Sequence, residues 1–82
     1  MTEHTARYIE ATIAGVTADV QAAISPYRHA ALNKAAFKLG LIGIDTKRVT
    51  DILTAPALAI GLKPRDIART IKSGWNAGWK RL

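Results

Sequence analysis

The chain closes on PRDIARTIKSGWNAGWKRL, Pro64 to Leu82, and the reading of this stretch decides how the rest folds. Placed on a helical wheel, Ile67, Ile71, Gly74 and Gly78 fall on one side. Arg65, Arg69, Lys72 and Asn76 fall in a narrow band nearly opposite, with Trp75 and Trp79 between the two faces. If the isoleucines face a core, the charges face water. The spacing therefore predicts a helix with one buried side and a continuous basic stripe. Pro64 suits its first turn, where a missing N–H costs nothing.

The same spacing extends toward the N-terminus. Ile9, Ile13, Val16, Val20 and Ile24 step by three or four, which is one face of a first helix. Thr2 or Thr5 is placed to cap it, and Pro26 stops it, because Ser25 before a proline is pushed out of the helical region. Gly15 weakens its middle by ~1 kcal/mol relative to alanine and reads as the mark of a close helix contact. A second helix is predicted from about Arg28 to Leu41, with Leu32, Ala35, Ala36 and Leu39 inward and Lys34 and Lys38 outward. Gly40 and Gly43 supply its exit. Asp45 is a good N-cap for a third helix with Val49, Ile52 and Leu53 inward. Pro56 predicts that this helix either kinks or restarts, and Gly61 closes it. Nothing alternates as a strand would. The expectation is an all-α bundle of about four helices with short loops, the third kinked or broken near Pro56.

The chain has 82 residues, enough for one domain with an apolar core and no staples. It has no cysteine, and its two histidines, His4 and His29, are far apart, so no zinc site is expected. No apolar run approaches the ~20 residues of a spanning helix. A soluble, monomeric, cytoplasmic domain is the expectation. The net charge is +6, unevenly distributed: eleven of the twelve lysines and arginines lie from Arg28 onward. Such asymmetry points to a polyanion, nucleic acid or acidic lipid, against the plain alternative of a solvated basic face.

A basic stripe neutralises phosphates without regard to sequence and in a salt-sensitive way. A flanking indole can stack on an unpaired base. Trp75 follows Ile71 by one turn and is expected to close the core. Trp79, beside Lys80 and Arg81, is expected to extend the binding surface. On the second helix, His29 and Asn33 lie one turn apart on the apolar side of Lys34 and Lys38. A histidine there is expected to be hydrogen-bonded and structural. Asn33 caps the neighbouring loop or reads a base or ribose edge. The carboxylates do not pair at catalytic spacing, no Gly-rich phosphate loop is present, and Ser73 has no activating base. No catalytic residue and no metal ligand is assigned.

Two stretches, RHAALNKAAFKLG from Arg28 and GLKPRDIARTIKSGWNAG from Gly61, carry a resemblance. Together they resemble the C-terminal helix bundle domain of archaeo-eukaryotic-type primases and primase-polymerases of phage and plasmid replication proteins. The matching positions are Arg28, Leu32, Asn33, Ala36, Phe37, Leu39, Gly40, Gly61, Leu62, Thr70, Ile71, Ser73 and Gly74. The likeness extends from roughly Tyr8 to the end. His29 stands where the family has asparagine, and Pro56 where it has a plain helix.

The resemblance implies a non-catalytic domain of a larger replicase. Such a domain holds single-stranded DNA template and the initiating nucleotide, ATP or another NTP, while the first dinucleotide forms. The implied partners are a catalytic primase domain of the same polypeptide and a helicase domain. No cofactor is expected in the domain itself. The candidate nucleic-acid and nucleotide residues are Arg28, His29, Asn33, Lys34, Arg65, Arg69, Lys72, Ser73, Trp79, Lys80 and Arg81.

Two other readings compete. A helix-turn-helix regulator of duplex DNA needs a recognition helix and a partner helix across a tight turn, and no such partner is evident in the sequence. A membrane-active basic helical protein fits the small size, charge and tryptophans beside lysines, but acidic residues are spread along the chain and the polar stripe is narrow.

Overall fold

The computed structural model describes residues 3–82. Four helices follow one another: α1 Glu3–Ala22, α2 Arg28–Leu41, α3 Thr46–Ala59 and α4 Pro64–Trp79, with no strand among the described residues. α2 is the central element. It packs on all three others, most extensively on α4, whereas α1 rests on α2 and α3 and makes no close approach to α4. The molecule measures 37 × 23 × 17 Å. Its core is aliphatic: Val16 and Val20 from α1, Leu32 and Leu39 from α2, Val49 and Leu53 from α3, Ile67 and Ile71 from α4.

Close contact between α2 and α4 depends on missing side chains. Gly74 and Gly78 are buried, and a Cβ on either would collide with a backbone carbonyl of α2, Asn33 or Phe37. From the other side, a Cβ on Gly40 would come within 2.6 Å of the Trp75 carbonyl oxygen. Gly40 is thus buried inside α2 rather than serving as its exit. The exit belongs to Gly43.

α2 and α3 end alike. Gly43 has φ +85° and Gly61 φ +92°, the left-handed conformation that a residue without Cβ adopts at no steric cost. In each case the next N–H bonds back five residues, Ile44 to Leu39 at 3.1 Å and Leu62 to Ala57 at 3.2 Å. That bond is the signature of the Schellman ending. Ile44 and Leu62 are buried, so each turn plants an apolar residue in the core. At the other end of α3, Asp45 accepts from the Arg48 N–H at 3.0 Å, the cap expected of it.

Several expectations are corrected. α3 runs unbroken from Thr46 to Ala59 with Pro56 inside it and buried, so the helix does not restart there. Pro56 has no N–H, so α3 lacks the one bond it would otherwise make to the Ile52 carbonyl. α1 stops at Ala22, and the Ala23 N–H bonds to the Val20 carbonyl three residues back, at 3.1 Å, in a tightened last turn. Ile24 therefore leaves the apolar face and is 70% exposed. Thr5 lies within α1 and does not cap it, and Thr2 lies outside the described residues. Gly15 marks no helix contact: it is exposed, and nothing lies within 4 Å of where its Cβ would be.

The glycines therefore divide by environment. Gly15→Ala should raise stability by about 0.5–1 kcal/mol through helix propensity alone. Gly78→Ala should lower it by about 2 kcal/mol or more, because two helices must move apart. Urea denaturation of both variants checks this. A neutral Gly78→Ala would mean that α2 and α4 are not held this closely.

Candidate nucleic-acid interface

The packing of α4 on α2 leaves Arg65, Arg69 and Lys72 on its far side, all exposed, as the wheel requires. None of the three has an ion-pair partner among the described residues. α4 has a single acidic residue, Asp66, in its first turn, where a negative charge favours the helix dipole. The stripe is therefore three uncompensated cations on one rigid helix, with half-buried Asn76 in line beyond them.

Along one edge of α4 the stripe borders α2. His29, Ala30 and Asn33 from α2 meet Arg69, Thr70 and Ser73 from α4 around an open groove of about 400 Å³. Gly74 sets this arrangement, because its bare backbone lets the Asn33 carbonyl approach. The Asn33 side chain makes no hydrogen bond to another described residue, so it caps no loop and its amide is available to the groove. His29 is no core histidine. Its side chain is 56% exposed, with Nε2 3.8 Å from Oδ2 of Asp66 across the α2–α4 boundary. Thr70 is a groove residue absent from the sequence-derived set. Its half-buried position on the α2-facing flank follows only from the way the helices cross.

Other candidates fall elsewhere. Arg28 is half-buried, and its Nη1 donates to the Ile60 carbonyl at 2.6 Å. It therefore closes the C-terminus of α3 and ties it to the start of α2, satisfying a carbonyl that the helix leaves open. Lys34 is exposed in a separate crevice between α1 and α2, beside Asp19 and Lys38. It is not on the α4 surface. Arg81 sets its guanidinium 5.8 Å from the centre of the Phe37 ring, a cation–π distance, and Lys80 is exposed.

Trp75 packs on the core and Trp79 stays exposed, as expected, but the two rings are not independent. Trp75 is half-buried against the core rather than sealed in it, and its Nε1 donates to the Ile44 carbonyl at 2.7 Å. Trp79 is 41% exposed and stacks on Trp75, with ring centroids 4.9 Å apart and planes 25° from parallel. The two rings form one unit anchored through Trp75 to the turn after α2. No helix among the described residues is long and apolar enough to cross a membrane, and none of their His, Asp or Glu side chains cluster as a metal site.

Comparison of the chain with protein-family models, curated proteins and solved structures finds no match.

The anchored ring makes a measurable demand. Trp75→Phe keeps an aromatic ring but leaves the Ile44 carbonyl without its donor, and should cost about 1–2 kcal/mol. Trp75→Ala should cost about 3 kcal/mol, the low end for an aromatic truncation because the ring is only half-buried. Thermal denaturation followed by circular dichroism reads both. If Trp75→Phe melts as the parent does, the hydrogen bond carries no weight.

Proposed function

We propose that this chain is a nucleic-acid-holding helix bundle that positions single-stranded template and an initiating nucleotide for a separate catalytic primase domain. The observation that carries the reading is the line of uncompensated cations, Arg65, Arg69 and Lys72, beside the groove of His29, Asn33, Arg69, Thr70 and Ser73. The stripe supplies phosphate neutralisation, and the groove supplies an amide, two hydroxyls and a guanidinium at nucleotide scale. Asn33, Thr70 and Ser73 are also positions of the resemblance to primase helix bundles, and two distant motifs converge at one place. On this reading the groove binds and orients, and the chemistry belongs to the catalytic domain. A polymerase starting without a primer must hold two mononucleotides and a template together. A tethered module that raises their local concentration lowers that entropic barrier.

A second reading gains support from one observation. α3 and α4 are joined by only four residues, Ile60 to Lys63, with Gly61 among them. That is the length of a helix-turn-helix connection, which makes α3 a candidate partner helix for α4. On this reading α4 enters the major groove of duplex DNA with Arg65 and Arg69 leading.

Gel shifts with single-stranded and duplex DNA of one sequence separate the two. The template reading expects preference for the single strand. Replacing Arg65, Arg69 and Lys72 with alanine should weaken binding to all sequences equally. It should also flatten the salt dependence by about two units, at ~0.7 per lost contact. An unchanged slope would leave the stripe a solvated face.

A further inference from the structure

The Trp75–Trp79 pair lies outside the groove and needs its own explanation. Stacking on Trp75 fixes one face of the Trp79 ring, and the Ile44 hydrogen bond fixes Trp75 in turn. Nevertheless Trp79 remains 41% exposed, and its Nε1 has no hydrogen-bond partner among the described residues. A large ring held rigid and left wet loses little conformational freedom on binding a planar ligand, which is the advantage of preorganisation. Position adds a second argument. On the helical wheel Trp79 lies only about 20° from Lys72, so it terminates the stripe rather than lying apart from it. From Arg65 to Trp79 the axial rise is about 21 Å. That length accommodates roughly four nucleotides of extended strand, the short end of the range that single-strand-binding folds cover.

We infer that Trp79 is a base-stacking platform: an unpaired strand lies along α4 with its phosphates on Arg65, Arg69 and Lys72 and one base against the exposed face of the Trp79 ring. This deepens the template reading and rests on it. The requirement is for an unpaired base, because a paired base in a duplex has no free face to offer. Charge complementarity selects a polyanion, and the ring selects one whose bases are free. A folded acidic protein satisfies the first condition and not the second.

The test uses the full chain and two probes of equal charge, a four-residue oligothymidylate and its abasic counterpart, titrated at low salt. The parent should bind the thymidylate roughly 5- to 150-fold more tightly than the abasic probe, the advantage that one stacked base confers. Trp79→Ala should lose that advantage and keep the abasic affinity, whereas Trp79→Phe should retain part of it. Quenching of tryptophan fluorescence in the parent by the thymidylate, and not by the abasic probe, tests the same contact without any substitution. Equal binding of both probes, with the dependence on Arg65, Arg69 and Lys72 intact, would overturn the platform and leave the template reading standing. Failure to bind either probe would overturn both, and so would preference for a duplex of the same length.

Discussion

Contact of α2 with α4, backbone against backbone, is the constraint on which the other features rest. Carbonyls of Asn33 and Phe37 occupy the space where Gly74 and Gly78 lack side chains, and Gly40 returns the contact against Trp75. Any Cβ at these positions forces the axes apart. Because the interface is made by backbone, the rotation of α4 about its own axis is set tightly. With Gly74 and Gly78 turned inward, Arg65, Arg69 and Lys72 have no direction left but outward. The same contact brings Arg69, Thr70 and Ser73 to the flank of α2 that carries His29 and Asn33.

A second set of connections locks the loops to this pair. Gly43 and Gly61 reverse the chain in the left-handed conformation and deliver Ile44 and Leu62 into the core. Each reversal is then held by a side chain from elsewhere. The Ile44 carbonyl accepts from Trp75 of α4, and the Ile60 carbonyl accepts from Arg28 of α2. Buried carbonyls near helix ends need such donors, since the helix supplies none. Arg28, a candidate polyanion ligand in the sequence, and Trp75, expected in the core, thus both spend their donors on the fold. The cations of α4, Arg65, Arg69 and Lys72, have no ion-pair partner among the described residues.

This economy bears on the proposed role. Few cations reach the α4 surface, and electrostatic contacts with single strands are individually weak and screened by salt. On the proposed reading, a module of this size held beside a catalytic domain would need no tight binding of its own and would gain from local concentration what it lacks in contact area. The rigid seat of Trp79 serves the same end, because a ring already ordered by Trp75 has less freedom to lose when a partner arrives.

The sequence by itself determined the helices and their inward faces. Periodicity of Val16, Val20, Leu32, Leu39, Val49, Leu53, Ile67 and Ile71 is a local property, and so are the Asp45 cap, the Gly43 and Gly61 reversals and the Pro64 start. Each follows from forces acting within a few residues. The stripe was legible for the same reason, since it is the complement of an apolar face. What the tertiary structure alone decided is how faces of different helices meet. Gly15 and Gly74 are alike in sequence, yet one faces solvent and the other an α2 carbonyl, because only the helix crossing distinguishes them. Lys34 and Asn33 are neighbours in the chain and belong to different surfaces, one toward α1 and one toward α4. Arg28 finds Ile60, and Trp75 finds Ile44, across more than thirty residues. Such pairings arise from packing volume and from carbonyls that need donors at distant helix ends, and no local pattern encodes them.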